Sequence, residues 1–336
     1  MVDRFIAGFV AAGLALGISA AHAAEPVKLR MGYVVAGADG PLIALGKEGL
    51  TKHQGQSYVL DAQHFAGTPP MITALAAGEI DLVPFAYSTL ALAVQNAKMD
   101  DLRIIADSFQ DGVEGYYTNE FMVLKDSPIH KIEDLKGKIV SSNAAGAAVD
   151  IALRVMLKKH GLEDKKDYTL IETGFPNMKA VLADKKVDLI TAVRPFSADA
   201  GLRDMARTLF TQKDAIGRSQ MIVLTARAPF LAKNRAAVVD FLEDSLRELH
   251  WYSDPKNHDE VVKIMSAYTK APPALFQSWL FTKSGDFFHD PDGKPDLDAL
   301  QSNINEQKAL GFLKEDFDVK KYADLSFVAE AAKRAQ

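Results

Sequence analysis

The sequence predicts an α/β protein of two similar lobes that close on a shared cleft. Its front half states one pattern twice, and the spacing of the copies is that of a domain. An apolar strand and a small-residue loop stand at residues 31–40 and again at 139–146. A strand reaching a Phe and a helix start recur as Phe65-Ala-Gly67-Thr68-Pro69 and Phe175-Pro-Asn177. A helix and a short apolar strand close each copy, with Ile80-Asp81-Leu82 matched by Val187-Asp188-Leu189, and each delivers a Pro-Phe pair. Gly40 and Gly146 lie 106 residues apart, and Asp81 and Asp188 lie 107 apart. Solenoid units repeat every ~20–50 residues, so the period is too long for one. Strands alternating with helices of this length are βαβ units, which give parallel sheets. Two such lobes aiming loops at each other form a clamp for a small molecule.

Taken in order, the chain opens with an export signal. Arg4 precedes a charge-free run over 5–21, and Ala21-His22-Ala23 offers the small-x-small pattern of signal cleavage. Cleavage is expected after Ala23 or Ala24, placing the protein in the periplasm. Removing 23 of the 336 residues leaves 313, enough for two domains. Cysteine is absent, so no disulfide helps to hold the fold. A net charge of −5 without a basic block excludes nucleic acid as a partner. No run after residue 24 is long and apolar enough to span a bilayer.

Val27, Leu29, Met31, Tyr33 and Val35 alternate as a strand does. Pro41 then opens a first helix, with Leu42, Ile43 and Leu45 on its stripe. Thr68 and Pro69 start a second helix with a hydroxyl cap. Ser88 caps a third over 89–97, and Asn177 caps the helix bearing Met178, Val181 and Leu182. A helix over 147–160 ends at Gly161. Polar links carrying Gly112, Gly115 and Gly217 lie at 111–120 and 211–220. The strands after them, 121–124 and 221–224, are expected to pair where the chain crosses between lobes. Beyond Thr225 only helical patterns follow, over 236–251, 260–268, 271–282, 296–310 and 319–333. The lobes are therefore expected at 24–115 with 225–336, and at 116–224.

No catalytic machinery is visible. The chain lacks G-x-G-x-x-G, G-x-x-x-x-G-K-[ST] and G-x-S-x-G, and its eight His residues show no metal-ligand spacing. The acidic turn at 290–296 lacks the closing Glu of a calcium loop. Neither a metal nor a cofactor is expected. What remains is a ring of loops at the C-terminal ends of predicted parallel strands, where open α/β sheets bind ligands. Each precedes a helix whose first N–H groups lack internal partners. The candidates are Gly37, Asp39 and Gly40; Phe65, Gly67 and Thr68; Tyr87, Ser88 and Thr89; Asn143, Ala145 and Gly146; Asn177; and Arg194. Arg194 follows an apolar strand and suits a carboxylate or sulfonate, the competing reading being an ion pair with Asp199 or Asp204. For Thr68, Ser88 and Asn177 the competing reading is helix capping alone. Asp39 either meets a ligand ammonium or simply starts a turn. Phe65, Phe85, Tyr87, Phe175 and Phe196 are core rings or, on converging loops, an apolar pocket wall.

These residues carry a family likeness. Gly40-Pro-Leu-Ile-Ala44-Leu45-Gly46-Lys-Glu-Gly49-Leu50 resembles the first helix of the nitrate/taurine/sulfonate group of ABC-importer solute-binding proteins. Phe65-Ala-Gly67-Thr68-Pro69, Ala74-Leu-Ala-Ala-Gly78-Glu-Ile-Asp81, Asp126-Ser-Pro128-Ile, Asp134-Leu-Lys-Gly137-Lys138 and the closing Tyr322-Ala-Asp324-Leu-Ser-Phe327 resemble that group too. The resemblance implies the two-lobed periplasmic binding-protein fold (type II), each lobe a mostly parallel sheet flanked by helices. It implies a monomer that captures a small anionic or zwitterionic solute and delivers it to an inner-membrane ABC permease with its ATPase. By position it lays the family's ligand loops on residues 37–40, 65–68, 87–89, 143–146 and Arg194. The rival readings are an enzyme of the same fold, of thiamine-pyrimidine or menaquinone type, and a sensor serving a membrane kinase.

Overall fold

The computed structural model describes residues 25–36, 38–39, 47–280 and 284–335. The expected signal peptide, Gly37, Gly40 and the start of the first expected helix lie outside these residues.

The first lobe begins with β1 (Val27–Tyr33), β2 (Tyr58–His64), α1 (Thr68–Ala76), β3 (Leu82–Ala86), α2 (Tyr87–Ala97) and β4 (Leu102–Asp111). The chain then crosses and builds β5 (Glu120–Leu124), β6 (Ile139–Ser142), α3 (Ala148–Lys159), β7 (Thr169–Glu172), α4 (Met178–Ala183), β8 (Leu189–Ala192), α5 (Ala200–Met205) and β9 (Ala206–Thr211). It returns through α6 (Gln212–Ile216) into β10 (Ser219–Arg227). The rest is helical: α7 (Ala228–Lys233), α8 (Arg235–Ser253), α9 (His258–Thr269), α10 (Ala274–Gln277), α11 (Leu297–Ala309) and α12 (Ser326–Ala335).

The two sheets follow one plan. Their strand orders are β2-β1-β3-β10-β4 and β7-β6-β8-β5-β9. In each, the first three strands are parallel and the fourth runs antiparallel to both neighbours. The fifth therefore points with the first three, so four of five strands share a direction. The repeated Asp explains itself here. Asp81 accepts the backbone N–H of Arg30 and its guanidinium, while Asp188 accepts the backbone N–H of Ile139 at 2.9 Å. Each carboxylate thus secures an N–H in the equivalent strand of its sheet, β1 or β6, the same task done twice.

Segments 121–124 and 221–224 do not pair with each other. β5 lies between β8 and β9 in the second sheet, and β10 lies between β3 and β4 in the first. Residues 219–224, expected in the second lobe, thus belong to the first sheet. Each lobe needs an antiparallel strand to fill the fourth place, and each takes it from the segment beside a crossover. The two crossovers touch. Glu120 pairs with Thr211, Ser219 pairs with Asp111, and Asp111 accepts hydrogen bonds from Thr118 Oγ1 and the Asn119 N–H at 2.6 and 2.9 Å.

The apolar patterns predict the cores. Leu29, Met31 and Leu224 of the first sheet bury against Val238, Phe241 and Leu242 of α8 and Phe327 and Val328 of α12. Tyr58 meets Phe241 edge-on at 5.6 Å, and its hydroxyl donates to buried Asp244 at 2.9 Å. In the second lobe Val140, Leu153, Leu157, Leu182 and Leu189 are almost wholly buried together. The helix expected over 271–282 shrinks to α10, and that over 319–333 splits into a short 3₁₀ turn and α12.

Candidate functional site

A cavity lies between the lobes, at the ends of the parallel strands. The first lobe contributes Val34, Val35, Ala38 and Asp39 after β1, Gly67 and Thr68 at the start of α1, and Ala86 at the end of β3. The second contributes Asn143, Ala147, Ala148 and Val149 around the start of α3, Phe175 after β7, and Val193 and Arg194 after β8. Phe109, Asn119, Met221, Ile222 and Phe287 complete the wall. It is mostly apolar, with five polar side chains, the usual make-up of a small-molecule site.

Arg194 dominates its electrostatics. The side chain is only 8% exposed, and its guanidinium stacks over the Tyr117 ring at 3.9 Å. Nε donates to the Gly285 carbonyl at 2.8 Å and Nη1 to Ser197 Oγ at 2.6 Å. No carboxylate among the described residues lies within 4.0 Å of it. The ion pairs considered from sequence are therefore absent: Asp199 instead pairs with Lys179 and caps α5. Burial holds the guanidinium below its usual pKa. Its hydrogen-bond partners are neutral, and the Glu120 and Asp286 carboxylates act on it only from beyond ion-pair distance, so its desolvation is only partly offset and an anion in the cavity would offset more.

A second source of positive potential lies on the same wall. The residue preceding α3, Ala147, has no capping side chain, and Ala147, Ala148 and Val149 face the cavity. The first N–H groups of that twelve-residue helix favour an anion, although the buried Asp150 carboxylate in the same turn, which accepts the Gly146 N–H, takes up part of that potential. The corresponding end of α1 offers less, because Pro69 and Pro70 have no N–H to give.

Asp39 is the counterweight. It is 5% exposed, and Oδ2 accepts the N–H groups of Val34 and Val35 at 2.5 and 2.9 Å. Desolvation nevertheless raises its pKa to about 6. It shapes the loop after β1 and also faces the cavity, so turn residue and wall residue are one and the same.

The other expected residues divide. Asn143 lines the cavity, its Nδ2 donating to the Ala66 carbonyl of the other lobe at 3.0 Å while buried Oδ1 has no partner. Thr68 caps nothing: Gly67 precedes the helix, and Thr68 Oγ1 lies 2.6 Å from Thr89 Oγ1, both buried. Thr89 sits behind the wall. Ser88 is likewise no cap. It donates to the Gly146 carbonyl at 2.9 Å, and Tyr87 donates to the Ala148 carbonyl at 2.8 Å, so both bridge the lobes. Gly146 has φ +79 and gives its N–H to Asp150. Ala145 is exposed, with its N–H taken by Glu172. Asn177 is exposed and makes no capping bond, since its own backbone is already helical. Ala145 and Asn177 thus lie away from the cavity wall. Phe65 faces a larger outer chamber together with Phe175 and Phe196, whereas Phe85 and Tyr87 are core rings. Gly37 and Gly40 lie outside the described residues.

Sequence reasoning missed Tyr117, Asn119, Phe109, Met221 and Phe287. The first two lie in a crossover whose polar, Gly-containing composition announced a link and not a wall. Phe287 arrives from the C-terminal segment and meets Phe109 at 4.5 Å and Tyr117 at 5.1 Å, a contact no local pattern encodes.

The sequence model of the NMT1-like family matches residues 22–266. Among solved structures, the periplasmic nitrate-binding protein of Synechocystis PCC 6803 superposes with a TM-score of 0.73 at 16% identity, over 93% of this chain and 90% of that one. The alkanesulfonate-binding protein of Xanthomonas axonopodis pv. citri, bound to MOPS, gives 0.70 at 20% identity, over 90% and 99%. A desulfurization enzyme also matches, with a TM-score of 0.66 at 15% identity over 92% and 100%. At these identities the likeness establishes the fold: the two-lobed architecture of periplasmic binding proteins.

Proposed function

We propose that this chain, which belongs to the NMT1-like family, is the solute-binding component of an ABC importer. In this reading it works in the periplasm, holds a small sulfonate- or carboxylate-like solute between its lobes and presents it to the membrane permease. The observation that carries the reading is Arg194, a buried guanidinium with no carboxylate at ion-pair distance among the described residues, on the wall of a cavity that the start of α3 also lines. An acid group there would receive a charge-assisted fork and backbone N–H groups together. Asp39 extends the reading to zwitterions, since its carboxylate faces the same space.

Turnover has little to work with. The described cavity wall holds no His, Lys, Ser or Cys, so no nucleophile–base pair of the usual kinds is at hand. The desulfurization enzyme with this fold was also crystallised as a cysteine-to-serine mutant with biphenyl-2-sulfinic acid. This chain has no cysteine to place at any such position. The test is titration calorimetry of the mature protein with short and aromatic sulfonates and carboxylates, followed by mass spectrometry after long incubation. Saturable binding with the ligand returned intact supports the reading; product formed at catalytic stoichiometry overturns it.

A further inference from the structure

The inner cavity has a neighbour at Phe175. Val34, Val35 and Phe175 line it and also line an outer chamber, so the two spaces share a wall. Their chemistry differs sharply. The inner space carries Asp39, Asn143 and Arg194. Of the acidic and basic side chains among the described residues, the outer one has only His64 on its lining, and its ring meets Tyr33 edge-on at 5.4 Å. Apart from Thr269 the rest is aromatic and apolar, contributed by both lobes: Phe65 and Tyr268 from the first, Phe196 from the second. Phe175 and Phe196 stand nearly parallel, 23° apart with centroids 6.4 Å from each other, and Tyr268 is left 43% exposed. Open apolar area of this kind beside a charged pocket marks where something apolar is expected to sit.

Building on the anion reading, we propose that the solute is an organic acid with an aromatic body: the acid group lies at Arg194 and the ring or rings lie past Phe175 in the outer chamber. A compact anion such as nitrate or methanesulfonate at Arg194 would leave the outer rings wet. An aromatic body would remove apolar surface of both lobes from water at once and gain ring-on-ring contacts. Selectivity then resides in the outer chamber and affinity for the acid in the inner one, so Phe65, Phe196 and Tyr268 set specificity while Arg194 sets the requirement for charge.

The test measures dissociation constants of the mature protein for nitrate, methanesulfonate, benzenesulfonate, naphthalene-2-sulfonate and the two matching aryl carboxylates. Wild type is expected to prefer naphthalene-2-sulfonate to methanesulfonate by at least about a hundredfold, or about 2.7 kcal/mol. Phe196→Ala is expected to cut that ratio about tenfold. Phe65→Ala and Tyr268→Ala, on the other lobe, repeat the measurement should the first variant fail to fold. Equal affinity for short and aromatic anions, or a ratio unmoved in all three variants, overturns the inference and leaves anion binding standing. Absence of binding by every anion tested, with the protein folded by circular dichroism, overturns both readings.

Discussion

Gly112 and Gly217 meet back to back where the two crossovers run side by side: a Cβ on Gly112 would stand 2.8 Å from the Gly217 carbonyl oxygen and 3.2 Å from Arg218 Cα. Both glycines have positive φ, +73 and +71, and Gly217 pairs its φ with ψ −154, a region that other residues avoid. The crossovers can run this close only because Gly112 carries no side chain, while Gly217 is required for its backbone conformation.

Gly112→Ala is therefore expected to be the costlier hinge substitution. It adds a clash with backbone to the left-handed penalty of about 1–2 kcal/mol, whereas Gly217→Ala meets open space and bears the conformational cost alone. Denaturant midpoints of the two variants check the order. Equal losses would show that the close contact does not matter.

Arg194→Met keeps most of the side-chain volume and removes the charge. Binding of an anionic solute should weaken by about 2–5 kcal/mol, while the unliganded protein should melt close to wild type, since the relief of a desolvated charge is set against the lost hydrogen bonds to Gly285 and Ser197. Arg194→Lys retains charge without the fork and should recover part of the affinity. Calorimetry and thermal melts of the three proteins decide. A variant that binds within about twofold of wild type, near 0.4 kcal/mol, reduces Arg194 to a structural residue.

Gly67→Ala should oppose closure selectively. Its Cβ would stand 2.9 Å from Ala144 Cβ and 3.1 Å from Asn143 Nδ2, both on the opposite lobe. Small-angle scattering should show a larger radius of gyration than wild type at saturating ligand, with weaker binding. An unchanged curve would mean that the lobes do not close on these residues.

Binding should vary with pH through Asp39, whose pKa burial raises to about 6. An anion beside it raises that pKa further, so binding takes up protons and tightens as pH falls from 8 to 6. A solute with an ammonium group against Asp39 reverses the sign. Dissociation constants across that range, with Asp39→Asn as the flat control, read the sign directly.

Stability should fall as pH rises from about 6.5 to 8.5. Desolvation raises Asp107 and Asp111 to about 7 and Glu248 to about 8, all above their unfolded values. A carboxyl group raised by folding gives stability that is present below its unfolded pKa and lost through its folded one. His289, lowered to about 4, opposes this only below about pH 6.5, where the unfolded chain takes up its proton. Both Glu248 oxygens are buried without a partner, so Glu248→Gln should flatten the slope of melting temperature between pH 7 and 8.5. A slope the same in both proteins would remove Glu248 from the account.

The duplicated loops were legible because strand, small-residue turn and helix each leave a local signature, and Asp81 and Asp188 mark equivalent places in both lobes. Two strands left none. β4 shifts register against β10 three times, which breaks the two-residue alternation, and β9 reads as a mixed polar stretch after α5. The capping readings of Thr68 and Ser88 failed for a related reason. A hydroxyl near a helix start looks like a cap in sequence, and only the second lobe supplies the Gly146 carbonyl that Ser88 engages. Asn177 is the opposite case, a good cap by composition that capping does not use. Arg194 was legible by position, but its lack of a carboxylate became visible only once every acidic side chain nearby had a place.

The placement of β10 has a consequence for how the chain reaches its native state. The second sheet is drawn from one continuous stretch, β5 to β9, and can form as soon as that stretch exists. The first sheet cannot: β3 and β4 stay apart until β10 threads between them, more than a hundred residues later in the chain. Its ring-closing contacts span long sequence separations, which slows them, and until they form β3 and β4 are bare edges open to the wrong neighbour. The second lobe should therefore assemble first and present the first with a finished partner, and a chain cut short before Ser219 should aggregate through the lobe that it began with.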